Sequence, residues 1–277
     1  MIKMIFCDVD GTLVQYNEQE EYTISDDNRQ MIRTAIHNGI RFALATGRPA
    51  NFVPERYGKE FTLDTVAYSG AMVQDAEGQM LYESSFTLQQ ALTIYRLVEK
   101  EDAELLCISR DNDYVFAGRR QQYMAEFLDP ATTVRDHRDL IDATLKQVAQ
   151  QSSELSFVSL VVLCHDPQRL ERLAQRCAQL SGLDPVMTRP DGYSLMKKGV
   201  NKAYGIRLLA EKRKIALNEI AVLGDSKNDL EMFDLIEQSY AMENSHPLLK
   251  EKAGAVVKTV ADALRRIMEI NRQQEVR

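Results

Sequence analysis

Phe6-Cys7-Asp8-Val9-Asp10-Gly11-Thr12-Leu13 closes the first apolar run of the chain and sets two carboxylates two residues apart. An apolar run that stops at acids and a glycine reads as a buried strand ending in a turn. Acids at i and i+2 of an extended chain point to the same side. Like charges that close raise each other's pKa unless a cation lies between them. The stretch therefore asks for a cation at the end of the first strand.

The pattern repeats along the chain. Residues 40–45 form a second apolar run that ends in Thr46-Gly47-Arg48, and residues 65–68 a third that ends in Ser69-Gly70-Ala71. Residues 220–223 form a fourth, ending in Gly224-Asp225-Ser226-Lys227-Asn228-Asp229. Helical spacing lies between them: Ser25 with Asp26 and Asp27 starts a helix that Gly39 stops, and another runs over about 201–212. Strands alternating with helices predict an α/β fold with a parallel sheet covered on both sides. In such sheets ligands bind beyond the carboxyl ends of the strands, so neighbouring strands would bring the four polar clusters together.

From residue 84 the texture changes. Thr87 starts a helix with Ala91, Leu92, Tyr95 and Val98 on one face; residues 104–109, 114–117 and 155–164 read as strands. Residues 126–151 are more polar and partly helical, Asp166-Pro167 opens a further helix, and 185–196 form two short strands around a Pro-Asp-Gly turn. The predicted organisation is a core over 1–83 and 191–277 with an inserted α/β domain over 84–190.

The chain has 277 residues and a net charge of −7, a balance that argues against a nucleic-acid or anionic-membrane partner. The four cysteines show no C-x-x-C spacing and read as buried, reduced thiols of a cytoplasmic protein. Cys7 adjoins Asp8 but faces away from it by strand alternation. The N-terminal run is interrupted by acid at Asp8, unlike a signal peptide. The longest apolar stretch, 157–164, is far short of the ~20 residues of a membrane span. His37, His137, His165 and His246 are scattered without a metal or triad partner.

Asp8, Asp10 and Asp225 offer hard oxygen ligands that fit Mg²⁺, which shares its shell with substrate phosphate. An aspartate can also act as nucleophile, and a second acid can protonate a leaving oxygen and then activate water. In order, Asp-Val-Asp-Gly-Thr, Thr-Gly-Arg, Lys202 and Gly-Asp-Ser-Lys-Asn-Asp resemble the four motifs of the haloacid dehalogenase (HAD) phosphatases. The arrangement, with Ser245-His246-Pro247 near the end, is similar to the Cof-type, subfamily IIB branch. The resemblance spans nearly the whole chain.

It implies a three-layer α/β/α Rossmann-like core with an α/β cap that closes over the substrate and sets selectivity. It also implies Asp8 as nucleophile, Asp10 as general acid/base and main-chain metal ligand, and Thr46 and Lys202 on the transferring phosphoryl group. Asp225 and Asp229 join Asp8 and Asp10 at Mg²⁺, while Thr12, Gly47, Arg48, Ser69, Gly70 and Asn228 line the phosphate. Two departures stand out: Ser69 where the family usually has Asn, and Glu243 where it usually has Gly. Arg119, Arg120 and Tyr123 would either grip an anionic substrate or begin a solvated helix.

The implied activity is Mg²⁺-dependent hydrolysis of a small phosphorylated metabolite, either a sugar phosphate or a cofactor such as pyridoxal phosphate or flavin mononucleotide. The alternatives are a phosphotransferase or phosphomutase on the same scaffold, and a non-catalytic phosphometabolite-binding protein. A monomer or small homo-oligomer is expected.

Overall fold

Strand Met4–Cys7, buried along its whole length, lies inside an eight-stranded sheet. The computed structural model describes residues 1–16, 22–101, 103–109, 113–116, 140–142, 156–180, 182–189 and 191–275. Across the sheet the order is Ala255–Val257, Gln238–Met242, Ile220–Gly224, Met4–Cys7, Arg41–Ala45, Thr65–Ala67, Met72–Gln74 and Met80–Glu83. The first six are parallel, and the last two turn back as an antiparallel hairpin.

Alternation along the strands builds two cores. Ile5, Cys7, Phe42, Leu44, Ala221 and Leu223 face one side, against Ile32 and Ala35 of helix Asp26–His37 and Leu264 and Ile267 of helix Val260–Glu275. Met4, Phe6, Ala43, Ala45, Ile220 and Val222 face the other, against Ile206 and Leu209 of helix Lys202–Arg213 and Met232 and Phe233 of helix Leu230–Leu235. Because both faces are covered, these strands read as continuous apolar runs rather than alternating ones. The result is the expected α/β/α sandwich.

Four strands that end in polar clusters are consecutive neighbours: Ile220–Gly224, Met4–Cys7, Arg41–Ala45 and Thr65–Ala67, all parallel. Their carboxyl ends therefore emerge side by side. From Met4–Cys7 the chain adds strands first on one flank and later on the other, so Asp8 and Asp225 border the switch point where such sheets bind ligands. The third strand stops at Ala67, one residue earlier than its apolar run, because Tyr68, Ser69 and Gly70 all take positive φ.

The chain divides into two compact units, Met1–Glu83 with Val200–Arg277 and Ser84–Gly199. The second has a six-stranded sheet ordered Leu140–Asp142, Asp113–Phe116, Glu104–Ile108, Ser159–Leu163, Gly192–Lys197 and Leu183–Arg189. Its core joins Leu105, Leu160, Val162 and Leu195 to Leu92 of helix Leu88–Val98 and Leu173 of helix Pro167–Ala178. The return to the first unit comes at Val200, not at 191 as the sequence reading had it. The closing hairpin is the reason: Gly192–Lys197 pairs with Ser159–Leu163, Leu195 opposite Leu160, and keeps the chain in the second sheet. The polar stretch 126–151 lies outside the described residues apart from Leu140–Asp142, which is a strand. Arg119, Arg120, Tyr123 and His137 lie outside them as well.

The four cysteines are free and buried, and Cys7 packs on the face opposite Phe6. Among the described residues no helix is long and apolar enough to cross a membrane.

Helix Lys202–Arg213 lies close against the sheet because Gly205 has no side chain: a Cβ there would sit 2.4 Å from Cγ1 of Val66. Val66 is a buried, β-branched strand residue with little room to yield. Gly205→Ala should therefore lower stability by about 1–3 kcal/mol, the usual cost of overpacking a core. Urea unfolding measures it, and an unchanged midpoint would show slack between helix and sheet.

Candidate active site

Asp8 follows the first strand directly, and its N–H donates to the carbonyl of Leu223 on the neighbouring strand at 2.9 Å. Two residues beyond Phe6, it continues the face on which helix Lys202–Arg213 packs. Asn201 caps that helix, accepting from the N–H of Tyr204 at 2.9 Å, and so fixes where Lys202 begins. The Lys202 ammonium donates to Asp8 Oδ1 and to Asp229 Oδ1, each at 2.6 Å. The side chains of Lys202 and Asp229 are fully buried and that of Asp8 is 7% exposed.

Asp229 also shapes the loop before it. Its Oδ2 accepts from the N–H groups of Asp225 and Ser226 at 3.0 and 3.1 Å. The carboxylate folds back over Gly224, where a Cβ would lie 2.7 Å from Asp229 Cγ. Thr12 Oγ1 donates to Asp225 Oδ1 at 3.1 Å. Gly11, at φ +83°, leaves space for the same carboxylate: a Cβ would lie 2.4 Å from Asp225 Oδ2. Behind this loop, Ser245 Oγ donates to the carbonyl of Gly224 and the N–H of His246 to that of Asp225.

Burial pushes the Asp8 carboxyl well above the usual carboxylate range, more strongly than Lys202 pulls it down. Burial would lower Lys202, but Asp229 and Asp8 outweigh it and hold the ammonium above its ordinary range. Asp225 is pushed up to about 6, first by burial and then by the charge of Asp229. With all three ionised, these carboxylates would exceed the one ammonium by two charges. Carboxylate oxygens of Asp8, Asp225 and Asp229 all lie within 4.8 Å of one another. A cluster of hard oxygen donors with that surplus suits a divalent cation of the Mg²⁺ type.

Asp10 is held apart from this cluster. The Arg48 guanidinium forks onto it, Nε to Oδ2 and Nη2 to Oδ1, both at 2.9 Å. Tyr22 donates its phenolic O–H to Asp10 Oδ1 at 3.1 Å and accepts from the Gly11 N–H at 3.0 Å. Lys202 pairs with Asp8, and Arg48 with Asp10. One expectation is corrected here. The strand ends at Cys7, and Asp10 sits in a turn bridged to Val14, so the i, i+2 rule no longer applies. The Arg48 guanidinium also lies 4.7 Å from the centre of the Phe52 ring.

The other expected residues fall nearby. Thr46 is buried; its Oγ1 accepts from the Arg48 N–H at 3.0 Å and its carbonyl from the Ser69 N–H at 2.9 Å. A Cβ on Gly47 would approach Ser69 Oγ to 3.5 Å, so those two turns adjoin. Gly70, at φ +100°, packs where a Cβ would lie 2.0 Å from the carbonyl oxygen of Asn201, bringing that turn against the residue before Lys202. Ser69 adopts φ 54°, ψ 33°, a left-handed conformation that Asn tolerates better than most residues. Asn228 turns toward Ser226, whose hydroxyl donates to its Oδ1. Glu243 is exposed, lies outside the left-handed region, and donates its N–H to Val257. Its replacement of Gly thus costs no backbone strain. Tyr22 was not found by sequence reasoning, and no motif around it marks it.

Buried aspartates and a lysine thus converge at the switch point of a largely parallel sheet. The model of the haloacid dehalogenase-like hydrolases matches residues 5–263, and the chain belongs to that family. It is 25% identical to phosphatase YwpJ of Bacillus subtilis over 279 residues, covering 93% of this chain and 95% of that one. Two solved structures share the fold. A haloacid dehalogenase-like hydrolase from B. subtilis has a TM-score of 0.79 at 22% identity, covering 95% of this chain and 99% of that one. The subclass IIB sugar phosphatase BT4131 has a TM-score of 0.80 at 19%, covering 96% and 98%.

Removing the ammonium would leave two buried carboxylates facing each other. Lys202→Met should cost about 3–5 kcal/mol in urea unfolding, as breaking a buried ion pair does. Wild-type stability in that variant would mean that the carboxylates do not depend on Lys202.

Proposed function

We propose that this phosphatase hydrolyses small phosphomonoesters through an aspartyl-phosphate on Asp8, with Mg²⁺ as cofactor. The observation that carries the reading is the buried Lys202 ammonium, 2.6 Å from both Asp8 and Asp229, with Asp225 in the same cluster. A structural ion pair has no need of the surplus carboxylates; a site that holds a divalent cation for phosphoryl transfer does.

Asp8 attacks phosphorus through a carboxylate oxygen, and the bond from phosphorus to the ester oxygen breaks. Asp10 gives its proton to that oxygen, releasing the alcohol. Water then attacks the phosphorus of the aspartyl-phosphate and loses a proton to Asp10, which restores the Asp8 carboxylate and frees inorganic phosphate. Lys202 keeps Asp8 oriented and offsets charge on the phosphoryl oxygens, and Thr46 with the Ser69-Gly70 turn is assigned to hydrogen-bonding them. Asp8, the Asp10 carbonyl and Asp225, braced by Asp229, would hold Mg²⁺, which supplies charge neutralisation for the nucleophile and the phosphoryl group.

Sugar phosphates are the favoured substrate class, supported by the likeness to a subclass IIB sugar phosphatase. Phosphorylated cofactors are the second class. The Ser84–Gly199 unit is the proposed cap and carries substrate selection.

Asp8→Asn should abolish release of p-nitrophenol from p-nitrophenyl phosphate while leaving the far-UV circular dichroism spectrum intact. Full turnover in that variant would remove the nucleophile assignment. Chelation with EDTA should stop the wild-type reaction and added Mg²⁺ restore it; activity that persists through chelation would remove the metal from the reading. Phosphate release without any acceptor separates hydrolysis from phosphoryl transfer to a second sugar.

A further inference from the structure

Asp10 carries the proton traffic of the proposed reaction, yet nothing in its own stretch of chain fixes its carboxylate. It stands beyond the end of the strand, in a turn joined to Val14 by a single bridge. Its two oxygens are not held alike. Oδ2 meets only the Arg48 Nε among the bonds described, whereas Oδ1 takes both Arg48 Nη2 and the Tyr22 phenol. A proton on Oδ2 weakens the Arg48 Nε bond to that oxygen. The Tyr22 bond survives it, because the phenol donates to Oδ1, which stays unprotonated and still accepts.

The phenol is itself anchored. The Gly11 N–H, shared between the Val14 carbonyl at 2.9 Å and the Tyr22 oxygen at 3.0 Å, leaves the phenolic hydrogen free to donate to Asp10. The ring packs at the edge of the core formed by Ile5, Val9 and Leu13, on the short strand Tyr22–Thr23 that pairs with Gln15–Tyr16. Gly11 follows Asp10 in the chain, so the ring closes a small loop: Asp10 carboxylate, phenol, Gly11 amide, and backbone to Asp10 again.

We infer that Tyr22 is a positioning residue for Asp10, fixing Oδ1 so that Oδ2 is the oxygen presented for proton exchange with the ester oxygen and then with water. The inference rests on the phosphatase reading above and adds to it a group outside the four motifs. No new bond is made by Tyr22; it keeps its proton throughout and acts through Asp10 alone.

Such a role has a signature that loss of packing does not. An ester whose leaving group departs readily as an anion needs little help from an acid, and one with a poorer leaving group needs more. Tyr22→Phe keeps the ring and deletes only the hydroxyl. The measurement is kcat/KM for p-nitrophenyl phosphate and for phenyl phosphate, since this parameter covers steps only through departure of the leaving group. Tyr22→Phe should lower kcat/KM for phenyl phosphate more steeply, shifting the ratio between the two esters by about tenfold, a fraction of what a general acid contributes. Equal losses on both esters, or none on either, would overturn the inference alone. A wild-type protein that releases phosphate from neither ester would overturn it together with the reading on which it rests. A thermal melt of the variant separates the two effects: a lower midpoint with an unshifted ratio is the structural outcome and counts against positioning.

Discussion

The Lys202 ammonium, buried between Asp8 and Asp229, is the constraint on which the rest of this unit depends. An unpaired charge at such a site would cost several kcal/mol, so all three groups must arrive together. Each arrives by a different route. Asp8 comes from the end of one strand, Asp229 from the turn after the neighbouring strand, and Lys202 from the first turn of a helix that packs across both. Close approaches at three glycines make this fit: Gly70 against Asn201, Gly224 against Asp229, and Gly11 against Asp225. Small residues here set distances among charged groups, which is a different task from permitting a turn.

The two aspartates of the opening motif belong to separate electrostatic neighbourhoods. Asp8 shares the buried, carboxylate-rich pocket with Lys202, Asp225 and Asp229. Asp10 belongs to a half-exposed network with Arg48, Tyr22 and the Gly11 amide. The two carboxylates therefore differ in burial and in the cation each meets, Lys202 for Asp8 and Arg48 for Asp10.

Much of this was readable in advance, for physical reasons. Strands buried on both faces give unbroken apolar runs, and the acids, glycines and hydroxyls that end them stand out against that background. The identities of Asp8, Lys202, Asp225 and Asp229 came from that contrast together with the family resemblance. Through-space pairing was not readable. Nothing in residues 8–13 says that Arg48 will fork onto Asp10, and nothing around Tyr22 says that its hydroxyl will reach the same carboxylate. Two short strands were legible around the Pro-Asp-Gly turn, but not the sheet that they join. Only the pairing of Leu195 with Leu160 puts Gly192–Lys197 in the second sheet.

The lysine and its first partner are 194 positions apart, and Met4 lies in register with Ile220. A centre stitched from such distant segments is a high-contact-order feature, closed late because the intervening chain must first be gathered. As the chain is synthesised, Asp8 emerges long before the residues that neutralise its surroundings, and its carboxylate spends that interval solvated. The second unit is made complete in between, with its own sheet and core. The buried charge cluster is therefore a late acquisition: a nascent chain reaches it only when its first strand is joined by one made more than two hundred residues later.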